Sequence, residues 1–341
     1  MKNKSFFSLY QWLVIIVFFA ILLIPLKTLN FDPHTINNNF YGRSRLISFA
    51  TDFKLWIGDR VFPKAIVGKN GWIFYTGETN LDNYQNAIPF TENELQQIQT
   101  SLEHVTQKYA QEGVQFLFIV PPAKHSVYPE YMPGEITIFA EQSRLDQLIT
   151  HLNQHSEVRI LDLRPALLEE KKERQNYYAT DTHWNLFGAF TAYEMIMDEL
   201  SKTHQNVAPY KLSDYEISMS KPEVLDITHS IGTKTWREKK IELTPKHEQF
   251  ASFKEIEAGS RKITFSSTGN ENLPTAVIYY DSFFFKVNLL LAEHFEQAVF
   301  IQNYLGGGLW NLSWVDDTKP DIVIIEFSER CIQDLPLLLE P

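Results

Sequence analysis

Hydrophobic positions along this chain change period several times, and the changes mark its elements. Residues 5–26, "SFFSLYQWLVIIVFFAILLIPL", carry no charge and are apolar almost throughout; about 20 such residues suffice to cross a bilayer as a helix. Residues 43–57 then place apolar side chains at helical spacing. "AIVGKNGWIFYTGE" splits into two short runs about Lys69-Asn70-Gly71, and Asn-Gly supports the positive φ of a tight turn, so a strand pair is predicted. Residues 91–112 have a helical pattern opened by Thr91 with Glu94 three places on, a capping box.

From there apolar runs and helical periods alternate. "VQFLFIVPP", "VRILDL", "TAVIYY", "QAVFIQ" and "DIVIIEF" are predicted strands, and residues 140–154, 185–202 and 283–294 predicted helices. Continuous apolar, β-branched runs between helices predict an α/β fold with a mostly parallel sheet covered on both faces. Residues 209–261 interrupt the alternation with charged, short-strand-like pieces, expected to form an insertion or lid. No internal repeat or low-complexity tract is present.

The domain reading is a membrane anchor over residues 1–30, a tether over 31–42 and one catalytic domain over 43–341. Lys2 and Lys4 precede the apolar stretch and hold the N-terminus in the cytoplasm, which exports the rest. "LLIPLKTLN" lacks the small residues of a cleavage site, so an anchor is favoured over a cleaved signal. The expected location is the cytoplasmic membrane, with the domain facing outward. The 31 basic and 42 acidic residues give a net charge of −11, with no basic run longer than "REKK", which argues against a nucleic-acid partner. Cys331 is the sole cysteine, so no internal disulfide exists, and an exported domain without one suits a bacterial envelope.

In open parallel sheets ligands sit beyond the carboxyl ends of the strands. "TAVIYYDSFFF" puts Asp281 and Ser282 at such an end, before a helix whose N–H groups can help hold an oxyanion. Equally, either residue can simply cap that helix. "YYATDTHWNLFGA" offers the partners a serine needs: His183 to take its proton and Asp181 to orient the imidazole. Asp181 and His183, two residues apart, share a side of an extended segment or meet across a tight turn. The competing view is that Asp181 or Thr182 caps the helix from Asn185 onward. A metal on Asp181, His183 and Asp281 is a third, less favoured reading, because no second histidine cluster accompanies them. No metal and no cofactor are expected.

Other polar and aromatic residues are candidate substrate contacts. Lys124 and His125 follow a strand and can line the cleft or sit in a solvated loop. Trp184, like Trp72 and Tyr75, can stack on a sugar or belong to the core. Tyr280 precedes the Asp-Ser pair, Asn303 and Tyr304 follow another strand, and His229 is given no role.

Five blocks, "VGKNGWIFYTGE", "IVPPAKHSVYPEYMP", "YYATDTHWNLFGA", "YYDSF" and "KPDIVIIEFSER", stand in the order found in the SGNH-hydrolase-like O-acetyltransferases of alginate and exopolysaccharide biosynthesis, the AlgJ/AlgX type. The chain resembles that family over about residues 43–335. The resemblance implies a flavodoxin-like, three-layer α/β/α fold, with Ser282 as nucleophile, His183 as base and Asp181 as its orienting acid. It also implies acetyl transfer to an exported polysaccharide, the donor coming from a multi-spanning membrane acyltransferase partner. Two positions depart from the family pattern: Tyr280 where many members carry Gly, and Phe284 where a small residue is common. Both are expected to narrow the acyl pocket. The alternatives are a carbohydrate acetyl-esterase, which shares every catalytic part, and a silent envelope scaffold that binds glycan.

Overall fold

The computed structural model describes residues 9–23, 42–258, 261–302 and 313–338. The apolar stretch forms helix α1 (Leu9–Leu23), none of whose side chains is buried. Among the described residues no helix is long and apolar enough to cross a membrane. The rest of the expected anchor, and the tether up to residue 41, lie outside the described residues.

Helix α2 (Arg43–Trp56) leads into a small antiparallel sheet of β1 (Val61–Phe62), β2 (Ala65–Val67) and β3 (Ile73–Tyr75). The turn between β2 and β3 carries Asn70 at φ 53° and Gly71 at φ 80°, the left-handed pair its Asn-Gly sequence supports. After α3 (Asn80–Gln85), Thr91 and Glu94 close the predicted capping box on α4 (Glu92–Gln111). Strand β4 (Gln115–Val120) and helix α5 (Lys124–Val127) follow. Helix α6 (Arg144–His155) starts later than expected because Ser143 and Asp146 form a second capping box there.

Next come β5 (Ile160–Asp162), α7 (Arg164–Glu173), α8 (Leu186–Ser201), β6 (Tyr215–Met219), α9 (Asp226–Ile231), β7 (Ile241–Pro245), β8 (Ser252–Ala258) and β9 (Arg261–Ser267). The chain continues through β10 (Ala276–Tyr280), α10 (Val287–Leu291), β11 (Gln297–Gln302), α11 (Ser313–Thr318), β12 (Ile322–Glu326) and α12 (Leu335–Leu338).

The main sheet has the order β5-β4-β12-β10-β11-β9-β8. Its first five strands are parallel, and β9 and β8 extend it antiparallel. The sheet is therefore mixed. β10 and β12 are buried at every position, which is why they read as unbroken apolar runs. The charged and largely exposed side chains of "SFKEIE" fit an edge strand. The stretch assigned to an insertion thus divides: β6 and β7 form a separate ribbon and α9 packs near the site, while β8 and β9 belong to the sheet.

Successive residues of β10 face opposite layers. Ile278 and Tyr280 pack with Phe190 and Ile196 of α8 and Leu291 of α10. Val277 and Tyr279 pack with Ile98 and Leu102 of α4 and Leu148 of α6. The result is a three-layer α/β/α sandwich. The single helix expected over residues 283–294 is a 3-10 turn (Ser282–Phe285), then α10, then a second 3-10 turn. This winding buries Phe283 and Phe284 and leaves Phe285 exposed.

Candidate active site

Three parallel strands deliver their carboxyl ends to one place: β10 runs into Ser282, β12 into Ser328 and Arg330, and β4 into Lys124. The cap and the hydroxyl, alternatives in the sequence, are separate residues. Asp281 Oδ1 accepts the Phe283 N–H at 2.8 Å and so caps the 3-10 turn. Ser328 Oγ donates to the other oxygen of that carboxylate, and the Asp281 N–H donates to Glu326 at 2.6 Å. Burial and the charge of Asp281 push the Glu326 carboxyl well above its usual range. Ser282, next to this braced cap, keeps its hydroxyl free for other partners.

Residues 177–184 form a tight hairpin closed by an antiparallel bridge between Tyr177 and Trp184. Helix α8 begins directly behind it, capped by Asn185, whose Oδ1 accepts the N–H groups of Phe187 and Gly188. Neither Asp181 nor Thr182 is that cap. Gly188 is required by proximity, since a Cβ there would lie 2.4 Å from the Asn176 carbonyl oxygen. The hairpin tip carries Asp181 and His183 across a turn rather than along an extended segment. Asp181 Oδ1 accepts the His183 backbone N–H at 3.0 Å and lies 2.8 Å from Nδ1 of the same residue.

His183 Nε2 lies 2.8 Å from Ser282 Oγ. Asp181, His183 and Ser282 are therefore in hydrogen-bonded series across a gap of 99 residues. Trp184 ties the two segments together, its Nε1–H donating to the Phe283 carbonyl at 2.9 Å. Burial raises the Asp181 carboxyl, but the hydrogen bond and charge of His183 outweigh it and hold the group down at about 2. Asp181 is thus an anion at neutral pH, as an orienting acid must be.

Several residues at the site were not found from the sequence. Asp226, at the start of α9, accepts the Thr182 N–H at 2.8 Å and places Oδ2 3.6 Å from His183 Nδ1. Burial and the charge of Asp181 raise its carboxyl. Glu238 accepts the N–H groups of Ala179 and Thr180 at 3.0 and 2.9 Å. Arg330 donates from Nη2 to Ser282 Oγ at 3.3 Å, and its Nε has no hydrogen-bond partner among the described residues. Burial works against the Arg330 charge, but Asp281 and the other anions around it outweigh that and raise its pKa. A charged "SER" directly after a buried strand was the signal available for Arg330. Asp226 and Glu238 lay in a segment without periodicity.

Among the described residues, Asp181, His183 and Asp226 bring ligand-type atoms within 4.8 Å of one another. That set can chelate a cation only by giving up the Asp181–His183 bond. Asp281, the third ligand considered from sequence, is committed to its cap.

Four of the substrate-contact candidates, Lys124, Trp184, Tyr280 and Asn303, fare differently. Lys124 is 4% exposed, and its ammonium donates to the carbonyls of Ile73, Tyr178, Ala179 and Asp181 at 2.5–3.2 Å. It is a strut tying the hairpin to β3, and it also lines the small cavity beside the serine turn. Burial lowers it to about 8 against the pull of Asp226, Asp181 and Glu238. Trp184 is buried in the core, so it braces the serine turn rather than stacking on a sugar. Tyr280 is also buried, beneath the helical layer. Asn303, with Tyr304, lies outside the described residues.

Beside Ser282 a cavity of about 10 Å³, room for one water, is lined by Tyr75, Asn80, Thr182, Phe283 and Arg330 among others. Tyr280 and Phe284 do not line it. Phe74, Tyr75 and Phe283 are the aromatic residues that do. His125, at its wall, bonds Asn80 at 3.2 Å, and burial lowers it to about 4, so its ring is neutral.

An α/β/α sandwich holding a hydroxyl, an imidazole and a carboxylate in series at the carboxyl edge of its sheet defines a hydrolase-like class of site. The chain belongs to the family of the SGNH hydrolase-like domain of acetyltransferase AlgX, whose model matches residues 65–267. That span takes in Asp181 and His183 and ends before Ser282. The chain is 26% identical over 175 residues to a Pseudomonas putida protein named "Probable alginate O-acetylase AlgJ", a match covering 48% of this chain and 43% of that one. It therefore spans under half the length of that relative. Among solved structures, Bacillus cereus PatB1 with a sulfonyl adduct superposes with a TM-score of 0.57 at 15% identity, covering 80% of this chain and 94% of that one. The O-acetyltransferase domain of Pseudomonas putida AlgJ does so with a TM-score of 0.51 at 19% identity, covering 81% and 93%. At these identities the two structures speak for the fold.

Proposed function

We propose that this protein is a serine O-acetyltransferase that modifies hydroxyl groups of an exported polysaccharide. The observation that supports this most is the series Asp181, His183 and Ser282, with both side-chain contacts at 2.8 Å. The name of the relative, an alginate O-acetylase, supports acetyl as the group and polysaccharide as the acceptor.

His183 Nε2 takes the Ser282 proton as Oγ attacks the acetyl carbonyl of the donor. The carbonyl oxygen becomes an oxyanion. The Phe283 N–H is already spent on Asp281, so the Ser282 N–H and the Arg330 guanidinium serve as its donors. Collapse breaks the bond to the leaving group, which receives the proton from His183, and leaves acetyl on Ser282. A sugar hydroxyl then gives its proton to His183, attacks the ester and restores Ser282. The one-water cavity suits a methyl group better than a longer acyl chain. The apolar N-terminal stretch anchors the chain in the cytoplasmic membrane, and a multi-spanning membrane acyltransferase supplies the donor.

The test is intact-mass spectrometry after exposure to a simple acetyl ester. The parent gains one acetyl group and Ser282→Ala gains none while melting normally. Acetylation of Ser282→Ala at the parental rate would overturn the assignment. The His183 side chain is 26% exposed, so water also reaches the site; hydrolysis that no oligosaccharide acceptor diverts would make the protein an esterase.

A further inference from the structure

Helix α2 carries apolar side chains on both faces. Its inward face packs Leu55 on the cluster of Ile227 and Ile231 and Ile47 against Gly232, and is pinned by polar contacts: Thr51 Oγ1 donates to the Ile231 carbonyl at 2.6 Å, and Thr233 Oγ1 donates to Asp52 at 2.7 Å. Its outward face, continued by the residues just after it, is apolar and large. Phe49 is 71% exposed, Phe53 49%, Trp56 80%, Ile57 58% and Val61 62%. Positions 49, 53, 56 and 57 recur at helical spacing, so they form one stripe. Contiguous exposed apolar surface of this kind marks an interaction site.

We infer that this stripe lies in the interface of a phospholipid bilayer, with α2 parallel to the membrane plane. Two further observations select lipid as the occupant. First, the same N-terminal stretch carries α1, whose apolar side chains are all unburied, only 19 residues upstream. Second, charge divides sharply along the chain. Residues 1–64 hold eight Lys or Arg against three Asp, a net of +5, whereas the remainder carries −16. Arg45 shares the helix with the stripe and Arg60 and Lys64 follow it closely in sequence, whereas Lys54 is paired with Asp59; long basic side chains in such a segment meet anionic headgroups while aromatic rings sit at the acyl boundary. The rest of the domain, strongly acidic, is repelled by the same surface.

The consequence reaches the site. A Cβ on Gly232, at φ 84°, would lie 2.4 Å from Ile47 of α2, so α2 and the end of α9 are closely packed. The other end of α9 presents Asp226 to Asp181 and His183. Docking α2 on the bilayer thus sets the height and tilt of Ser282 over the membrane.

The experiment uses the full chain in phospholipid nanodiscs containing phosphatidylglycerol, with single nitroxide labels at Phe49→Cys, Phe53→Cys and Trp56→Cys. Leu168→Cys on α7 is the control, and Cys331, buried, is left in place. Collision with oxygen relative to a water-soluble nickel chelate should be several-fold higher at the three α2 positions than at the control, corresponding to a depth of about 5–10 Å. Water-like ratios at all three would overturn the inference. So would labels immobilised and shielded from both reagents, which would put a protein or a second copy on this face. None of these readouts depends on catalysis.

Discussion

Replacing Asp181 by Asn asks whether one carboxylate or two hold the catalytic imidazole. Asp181 Oδ1 lies 2.8 Å from His183 Nδ1, and Asp226 Oδ2 lies 3.6 Å from the same atom. At an effective dielectric of about 20, an imidazolium formed during reaction interacts with these two charges by roughly 6 and 4.6 kcal/mol. With one of the two carboxylates charged at a time, passing the role to Asp226 costs about 1.3 kcal/mol, or about tenfold in rate. Without a substitute, losing the acid of a serine triad costs on the order of 10⁴ in turnover. Asp181→Asn should accordingly lose about 10- to 100-fold, Asp226→Asn only a few-fold, and the double variant about 10⁴, a non-additivity that a double-mutant cycle reads directly. Asp181 also carries a stability signature. Its folded pKa is depressed to about 2, so it contributes about 2 kcal/mol that is complete above roughly pH 4 and lost as pH falls through 2. Asp181→Asn should flatten that acid limb of the melting curve. The assay is turnover of a simple acetyl ester, with thermal melts across pH, for all four proteins. A loss of 10⁴ in Asp181→Asn alone, with no further loss on adding Asp226→Asn, refutes the reasoning.

Substitutions at two further positions separate catalysis from architecture. Arg330→Gln should lower kcat by about 10²- to 10³-fold with KM little changed, and Arg330→Lys should restore part of it, because an oxyanion donor acts mainly in the transition state; a raised KM at unchanged kcat would make Arg330 a substrate-binding group. Lys124→Met strips a donor from four carbonyls, of which only Ala179 is shown with another partner, the Ile73 N–H. It should lower stability by about 2–4 kcal/mol, and an unchanged Tm would show that the strut is dispensable.

The central strands were legible because a parallel sheet buried on both sides demands unbroken apolar runs, as in "AVIYY" and "IVIIE". Capping at Thr91 and the Asn70-Gly71 turn were legible because each is set within a few residues. Ser282 could be placed in advance because it ends a strand of an open sheet, and Asp181 and His183 were matched to it by the needs of a serine nucleophile and by the family resemblance, since their hairpin follows helix α7 rather than a strand of the main sheet. The edge strand β8 and its neighbour β9 were not legible, since strands that carry charged, exposed side chains look like any charged segment. Lys124 shows the other limit. Its sequence suggests an exposed loop charge, and only the folded chain reveals the carbonyls that surround it. The helical spacing of residues 43–57 was correct, yet periodicity cannot say which way an apolar face turns, and here it turns outward.

Precision at the hairpin tip comes from charges that the motif itself does not contain. The N–H groups of Ala179 and Thr180 go to Glu238, that of Thr182 to Asp226, and the carbonyls of Tyr178, Ala179 and Asp181 to Lys124. Three side chains far apart in sequence thus satisfy most of the backbone of the six residues between Tyr177 and Trp184, which have little regular structure of their own. A catalytic pair needs its geometry held within fractions of an ångström, and fixed polar partners achieve this where no strand or helix can. Two of the partners, Asp226 and Glu238, belong to the segment that breaks the α/β alternation. That segment is therefore a structural wall of the site rather than a detachable lid, and a deletion that spared Asp181, His183 and Ser282 would still disorder the tip on which two of them depend.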